Sequence, residues 1–142
     1  MKTFLKFILN IVIYVAIVGV TVFGLPRFLA WKLNTTYPMA AITSGSMWPA
    51  LKEGDLVFIE GVPKETLETG DIIVYRNPTG NGFTIHRIKE LRDDELVTKG
   101  DANFKDDEPV PYDHVGGRTY QMMGTYARIP YLGFITVYAA KN

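Results

Sequence analysis

Hydrophobic positions fall along this chain in two regimes. From Phe7 to Leu25, nineteen consecutive residues carry no charge, closed by Lys6 on one side and Pro26-Arg27 on the other. At about 1.5 Å per residue, a helix of this length matches a bilayer's hydrocarbon core of ~30 Å. The run therefore predicts one transmembrane helix over residues 7–25, preceded by a short tail at 1–6. A cleaved secretory leader would share the charged opening from Met1 to Lys6. However, the apolar run exceeds a leader's usual ~7–15 residues and its exit lacks a small-x-small site. Residues 26–36, with Trp31 at headgroup level, read as an interfacial linker.

Past residue 36 the helical pattern gives way to short apolar runs separated by turn residues. Leu56–Ile59, Ile72–Tyr75, Phe83–Ile88 and Leu96–Lys99 are rich in β-branched and aromatic side chains and are predicted as strands. Asn77 to Gly82 is a loop, and Arg92-Asp93-Asp94-Glu95 closes a hairpin. One short echo links Leu51-Lys52-Glu53-Gly54-Asp55-Leu56-Val57 with Leu67-Glu68-Thr69-Gly70-Asp71-Ile72-Ile73. Its physical content is turn chemistry: glycine supplies positive φ, aspartate bonds the neighbouring backbone, and an apolar strand follows. Residues 37–142 thus form a mainly β domain, and 142 residues leave room for one catalytic domain.

Composition narrows the chemistry. Fifteen basic and fifteen acidic residues cancel, and no lysine–arginine cluster is long enough to track a phosphate backbone, which argues against a nucleic-acid partner. Cysteine is absent, so disulfides, thiolate nucleophiles and cysteine-based zinc sites are excluded. Any nucleophile is an oxygen or an amine.

The segment Ser44-Gly45-Ser46-Met47-Trp48-Pro49 is built to turn: Gly45 has no Cβ to clash and Pro49 stiffens the exit, so Ser46 projects from the bend. Such a bend also gathers N–H groups, making the Ser46 amide and the Ser44 hydroxyl candidate oxyanion donors. Alone, the segment is an ordinary surface turn. A serine hydroxyl needs a base, and the chain has two histidines. His86 lies within a predicted strand, where alternation sets it with Thr84 and Ile88 on one face and Ile85 and Arg87 on the other. His114 has turn residues around it and reads as a solvated loop histidine. An imidazole base needs a carboxylate on its other nitrogen, and Asp101 and Asp107, six apart on a loop after a strand, are the candidates. Met47 and Trp48, beside the serine, suit either the core or a membrane interface.

Read together, Ser44-Gly45-Ser46-Met47-x-Pro49, Gly54-Asp55-Leu56-Val57, Gly70-Asp71-Ile72-Ile73, Ile85-His86-Arg87-Ile88 and Lys99-Gly100-Asp101-x-Asn103-x-x-x-Asp107 resemble type I signal peptidases in content and order. His86 stands where the bacterial branch has a lysine, so the chain is similar to the archaeal and endoplasmic-reticulum-type branch. The resemblance is strong over residues 40–110 and resumes at Ile129-Pro130-Tyr131-Leu132-Gly133. It implies a coiled, mostly antiparallel β catalytic domain and a serine endopeptidase that removes signal peptides. By motif position it also implies Ser46 as nucleophile, His86 as general base and Asp107 as the orienting carboxylate, with Asp101 and Ser44 in support. Substrates would be preproteins bound as extended strands, with small side chains at the first and third positions before the cut.

The picture that follows is of a single-pass cell-membrane protein with its catalytic domain on the extracytoplasmic side. Its partners are preproteins, the bilayer, and a translocon or accessory subunits; it uses no cofactor and no metal. Tyr131 to Ala140 gives only about ten apolar residues, short of a second span of ~20. Three other classes compete. A Ser-Lys autoprotease of the same fold would use Lys89 or Lys99, neither at the matching place. A metal hydrolase would use His86, Asp101 and Asp107, without an HExxH pair. A non-catalytic membrane-anchored β module would not need Ser46.

Overall fold

The computed structural model describes residues 2–78, 80 and 82–141. Thr79 and Asn81 of the predicted loop, and the first and last residues of the chain, lie outside them. The chain divides into two units, Met1–Lys32 and Leu33–Asn142.

The first unit is helical. Helix α1 (Lys2–Gly19) leads through a π-helical turn, Val20–Gly24, into α2 (Leu25–Lys32). Pro26 explains the turn. Its ring has no N–H to give and crowds the carbonyl four residues back, so the chain widens by one residue just before it. The Leu25 N–H bonds the Val20 carbonyl, the Thr21 hydroxyl bonds the Ile17 carbonyl at 2.8 Å, and Arg27 Nη1 reaches the Phe23 carbonyl at 3.1 Å. The polar groups of Thr21 and Arg27 are thus turned onto the helix backbone, as an apolar surround favours. Helical structure runs past both ends of the uncharged stretch, because Lys2, Lys6, Arg27 and Lys32 are all compatible with a helix. Thr3–Lys32 is long and apolar enough to cross a membrane, with a mean hydropathy of 2.5 over its eighteen-residue window and none of that window buried.

The second unit is an antiparallel β fold. Its strands are β1 (Met39–Ala41), β2 (Leu56–Glu60), β3 (Ile72–Arg76), β4 (Phe83–Leu91), β5 (Glu95–Lys99), β6 (Val110–Pro111), β7 (Val115–Thr119), β8 (Gln121–Met122), β9 (Thr125–Tyr126) and β10 (Arg128–Ile129), followed by helix α3 (Gly133–Lys141). The main sheet runs β1-β2-β7-β3-β4-β5-β6, with β10 also beside β2, and β8-β9 forms a separate hairpin. The four predicted strands are β2 to β5, and the predicted hairpin closes with the Arg92 N–H on the Glu95 carbonyl.

Both faces of the centre of this sheet are covered, which is why β3 reads as a continuous apolar run and not as an alternation. Ile72 and Val74 join Ile42, Met47, Leu51, Val57 and Ile59 on one face. Ile73 and Tyr75 join Leu67, Ile88, Leu96 and Val110 on the other. Each such buried side chain contributes roughly 1.5–3 kcal/mol. The sequence echo is a repeated turn. Asp55 Oδ2 accepts the Lys52 N–H at 3.0 Å and Asp71 Oδ2 accepts the Glu68 N–H at 3.1 Å. Gly54 and Gly70, at φ +87° and +101°, occupy the position that side chains avoid. Each aspartate also takes an arginine, Arg128 on Asp55 and Arg118 on Asp71.

Candidate active site

Three elements meet around Ser46: its own turn, β4 and the loop after β5. The turn that carries it is fixed by short-range bonds, the Trp48 N–H on the Gly45 carbonyl and the Leu51 N–H on the Met47 carbonyl. Met47, only 1% exposed, drives into the core and pins the turn from below, whereas Trp48 is 59% exposed. The two residues next to the serine therefore divide the alternatives left open by the sequence: one packs, the other faces out. A second constraint comes from the loop after β5, where the Ala102 N–H bonds the Ser46 carbonyl at 2.8 Å. The two backbones approach so closely that a Cβ on Gly100 would lie 2.7 Å from the Ser46 carbonyl oxygen.

His86, on β4, is 8% exposed. Its Nε2 lies 3.1 Å from Ser46 Oγ and its Nδ1 lies 2.6 Å from Asp107 Oδ2. Because an ionised carboxylate only accepts, the Nδ1 proton faces Asp107 and the Nε2 lone pair faces the serine. The Ser46 hydroxyl then donates to Nε2 and accepts from Ser44 Oγ at 3.2 Å. Ser44 Oγ also lies 3.5 Å from the Ser46 amide, so a hydroxyl and an N–H donor share one small region beside the serine oxygen.

The two acidic candidates separate. Asp107, held by its N–H on the Thr98 carbonyl at 2.8 Å, faces His86. Asp101 does not reach the imidazole. It accepts Arg87 Nε at 2.8 Å and Nη2 at 2.7 Å, a bidentate pair, while Arg87 Nη1 continues to the Gly70 carbonyl and the Tyr126 hydroxyl. That pairing holds Arg87 protonated above the ordinary arginine range, against the opposing effect of burial. His114 stands apart, its Nδ1 3.3 Å from the Arg76 carbonyl. Among the described residues, no three histidine or acidic side chains form a group suited to a metal.

Two partners of Asp107 escaped the sequence reading. The Thr98 hydroxyl lies 2.7 Å and the Tyr75 hydroxyl 3.2 Å from Asp107 Oδ2. Both belong to strands whose residues otherwise serve the core, and no local pattern marks them. Burial, helped by the neighbouring Asp107 charge, pushes the Tyr75 hydroxyl up to about 12.

Ser46 and His86 open on a cleft of about 390 Å³ whose floor is apolar, with Ile42, Met47, Ile59, Val74 and Ile85 among its lining residues. Met39 to Ala41 of β1 line one bank and Phe83 to His86 of β4 the other. Tyr37 and Phe83, both in its lining, pack with ring centroids 4.9 Å apart.

Residues 21–112 match the family model described as Peptidase S24-like. The chain is 32% identical over 132 residues to the signal peptidase complex catalytic subunit SEC11 of Lachancea thermotolerans, covering 81% of this chain and 76% of that protein. It is 33% identical to the subunit of the same name from Neurospora crassa, over 81% of this chain and 74% of the relative. With the SEC11 subunit of Scheffersomyces stipitis it shares 31% identity, over 81% and 76%.

Proposed function

The chain belongs to the Peptidase S24-like family, and we propose that it is a membrane-bound serine endopeptidase removing N-terminal signal peptides from secreted and membrane proteins. In this reading it is a type I signal peptidase of the Ser-His kind. The observation that carries it is the unbroken hydrogen-bonded path from Ser46 through His86 to Asp107, inside a chain similar to signal peptidase catalytic subunits.

The chemistry follows from the proton positions. Ser46 Oγ attacks the scissile carbonyl as its proton moves to His86 Nε2, and the imidazolium so formed is stabilised by Asp107. The carbonyl oxygen, now negative, takes the Ser46 N–H and the Ser44 hydroxyl as donors, each exchanging its partner in the free chain, Ser44 Oγ for the amide and Ser46 Oγ for the hydroxyl. His86 then returns its proton to the leaving amine, and water, deprotonated by the same imidazole, releases the acyl group. Asp101 supports the site at one remove by locking Arg87 and the loop that ends at Asp107. The preprotein lies as an extended strand along β1, which ends the main sheet and lines the cleft. Helix residues 3–32 hold the enzyme in the cell membrane with the β domain on the extracytoplasmic side, and accessory subunits or a translocon adjoin it.

The test is incubation of the detergent-solubilised chain with a presecretory protein, followed by sequencing of the new amino terminus. Ser46→Ala and His86→Ala are each expected to abolish processing while leaving the fold intact by far-ultraviolet circular dichroism. Asp107→Asn is expected to lower kcat by ~10⁴, since it removes the carboxylate that fixes the tautomer. Activity falls on acidification, because a protonated imidazole cannot accept the serine proton. Full activity in the Ser46 or His86 variant, or an acid optimum, contradicts the assignment.

A further inference from the structure

Asp107 receives more donors on one oxygen than an orienting carboxylate needs for the imidazole alone. Its Oδ2 lies 2.6 Å from His86 Nδ1, 2.7 Å from Thr98 Oγ1 and 3.2 Å from Tyr75 Oη. The two hydroxyls also lie 3.1 Å from each other. Thr98 is completely buried and Tyr75 nearly so, which rules out water as a substitute donor at either place. Each hydroxyl has one proton to give. The 2.7 Å contact claims the Thr98 proton for the carboxylate, and the Tyr75 proton is then shared between Asp107 Oδ2 and Thr98 Oγ1, the charged acceptor being the stronger.

We infer that Tyr75 and Thr98 are positioning residues for the proposed hydrolysis, a buried hydroxyl pair that fixes the Asp107 carboxylate and, through it, the tautomer and ring angle of His86. Neither touches Ser46, so they act through the carboxylate and not on the substrate. The placement follows from topology. Thr98 of β5 and Tyr75 of β3 lie diagonally on either side of His86 of β4: Tyr75 pairs with Thr84 and Thr98 with Ile88, each two residues from His86 and so on its face of the sheet. Tyr75 keeps its proton to about pH 12, so it remains a donor over any range in which the base works. The other charged groups nearby do not compete for the imidazole: Arg87 and Asp101 satisfy each other.

The inference rests on the triad reading, and one experiment separates the two. In the full chain in detergent, with a synthetic peptide spanning a signal-peptide cleavage site, pH profiles of kcat and KM are measured for Tyr75→Phe, Thr98→Val and Thr98→Ser. Losing a donor loosens the carboxylate, so Tyr75→Phe and Thr98→Val are expected to lower kcat tenfold to a hundredfold with KM little changed, as a slight misplacement of a catalytic group does. It also leaves the carboxylate more basic, which favours the imidazolium, so the acid limb of kcat/KM moves to higher pH. Thr98→Ser, which keeps the hydroxyl, is expected to restore both. In an Asp107→Asn background, Tyr75→Phe is expected to add nothing, because the group it positions is gone. Parent-like kcat and acid limb in both Tyr75→Phe and Thr98→Val, or a full rate loss from Tyr75→Phe on the Asp107→Asn background, would overturn the inference. Activity in Ser46→Ala would instead sink the triad reading itself. Should Tyr75→Phe unfold, the Thr98 pair of variants decides the matter.

Discussion

Asp101 and Asp107 are the same residue type six positions apart, yet their neighbours give them opposite tasks. A guanidinium fork neutralises Asp101 and leaves it nothing to offer an imidazole. Among the described residues, Asp107 pairs with no cationic side chain but His86, and in the proposed hydrolysis, where that imidazole gains its charge only as Ser46 attacks, this lets a carboxylate favour the transition state over the ground state. Burial, with the Asp107 charge adding to it, governs Tyr75. Its hydroxyl ionises at about 12 in the folded chain against 10.0 for an unperturbed tyrosine, so the unfolded chain releases this proton first as pH rises. The stabilisation is therefore complete below pH 10 and is lost between about 10 and 12. Thermal unfolding from pH 9 to 12 is expected to show a stability difference between the parent and Tyr75→Phe that narrows across this window. A constant difference would mean that the hydroxyl is not held as described. At this scale the sequence told part of the story. Ser46, His86 and the pair of acids are each ordinary taken singly, a serine in a turn, a histidine in a strand and aspartates in a loop; they stood out through the order of the motifs that resemble type I signal peptidases. Tyr75 and Thr98 did not, since tyrosine and threonine are ordinary strand residues and only the third dimension sets their hydroxyls against Asp107.

Strands and turns were the most legible level, for a reason visible in β3. Its run Ile72-Ile73-Val74-Tyr75 feeds two cores at once, so the composition needed for burial on both faces is also the composition that announces a strand. The repeated Gly-Asp turn could be read because its demands are local: one positive φ and one carboxylate facing back three residues. What stayed hidden was how turns and loops seat on one another. Gly100 illustrates this, being a glycine chosen for space and not for a positive φ: it lets the loop leading to Asp107 press against the carbonyl of Ser46. A methyl group there would lie 2.7 Å from that oxygen, and the obstacle is backbone, which cannot rotate away. Gly100→Ala is accordingly expected to part the loop from the serine turn. We expect a fall in kcat of ~10² or more, with far-ultraviolet circular dichroism unchanged. Parent-like turnover would show that the seating is soft and that the close approach carries no part of the site's geometry.

Across the whole molecule, two units of opposite solvent preference are joined between Lys32 and Leu33. None of the apolar eighteen-residue window of the helix 3–32 is buried in the protein, and in the proposed reading lipid surrounds it. The β unit encloses both cores and the whole Ser46–His86–Asp107 path within residues 42–110, and so needs nothing from the helix to assemble its chemistry. Tethering serves the search for substrate. A preprotein arriving in the same bilayer meets an enzyme confined to a surface, and its effective concentration rises without any added contact. A charge-free run of nineteen residues set one end of the chain apart in the sequence, but nothing there said that Ser46, His86 and Asp107 would meet within residues 42–110. Cutting the chain at an engineered protease site between residues 32 and 33 isolates this contribution. The freed β unit is expected to cleave a short soluble peptide at close to the parent's rate. On a preprotein embedded in vesicles it is expected to fall behind the vesicle-anchored chain by ~10² or more. Equal rates on the vesicle substrate would show that the anchor contributes nothing to encounter, whereas loss of the soluble-peptide activity would mean that the helix takes part in the catalytic geometry.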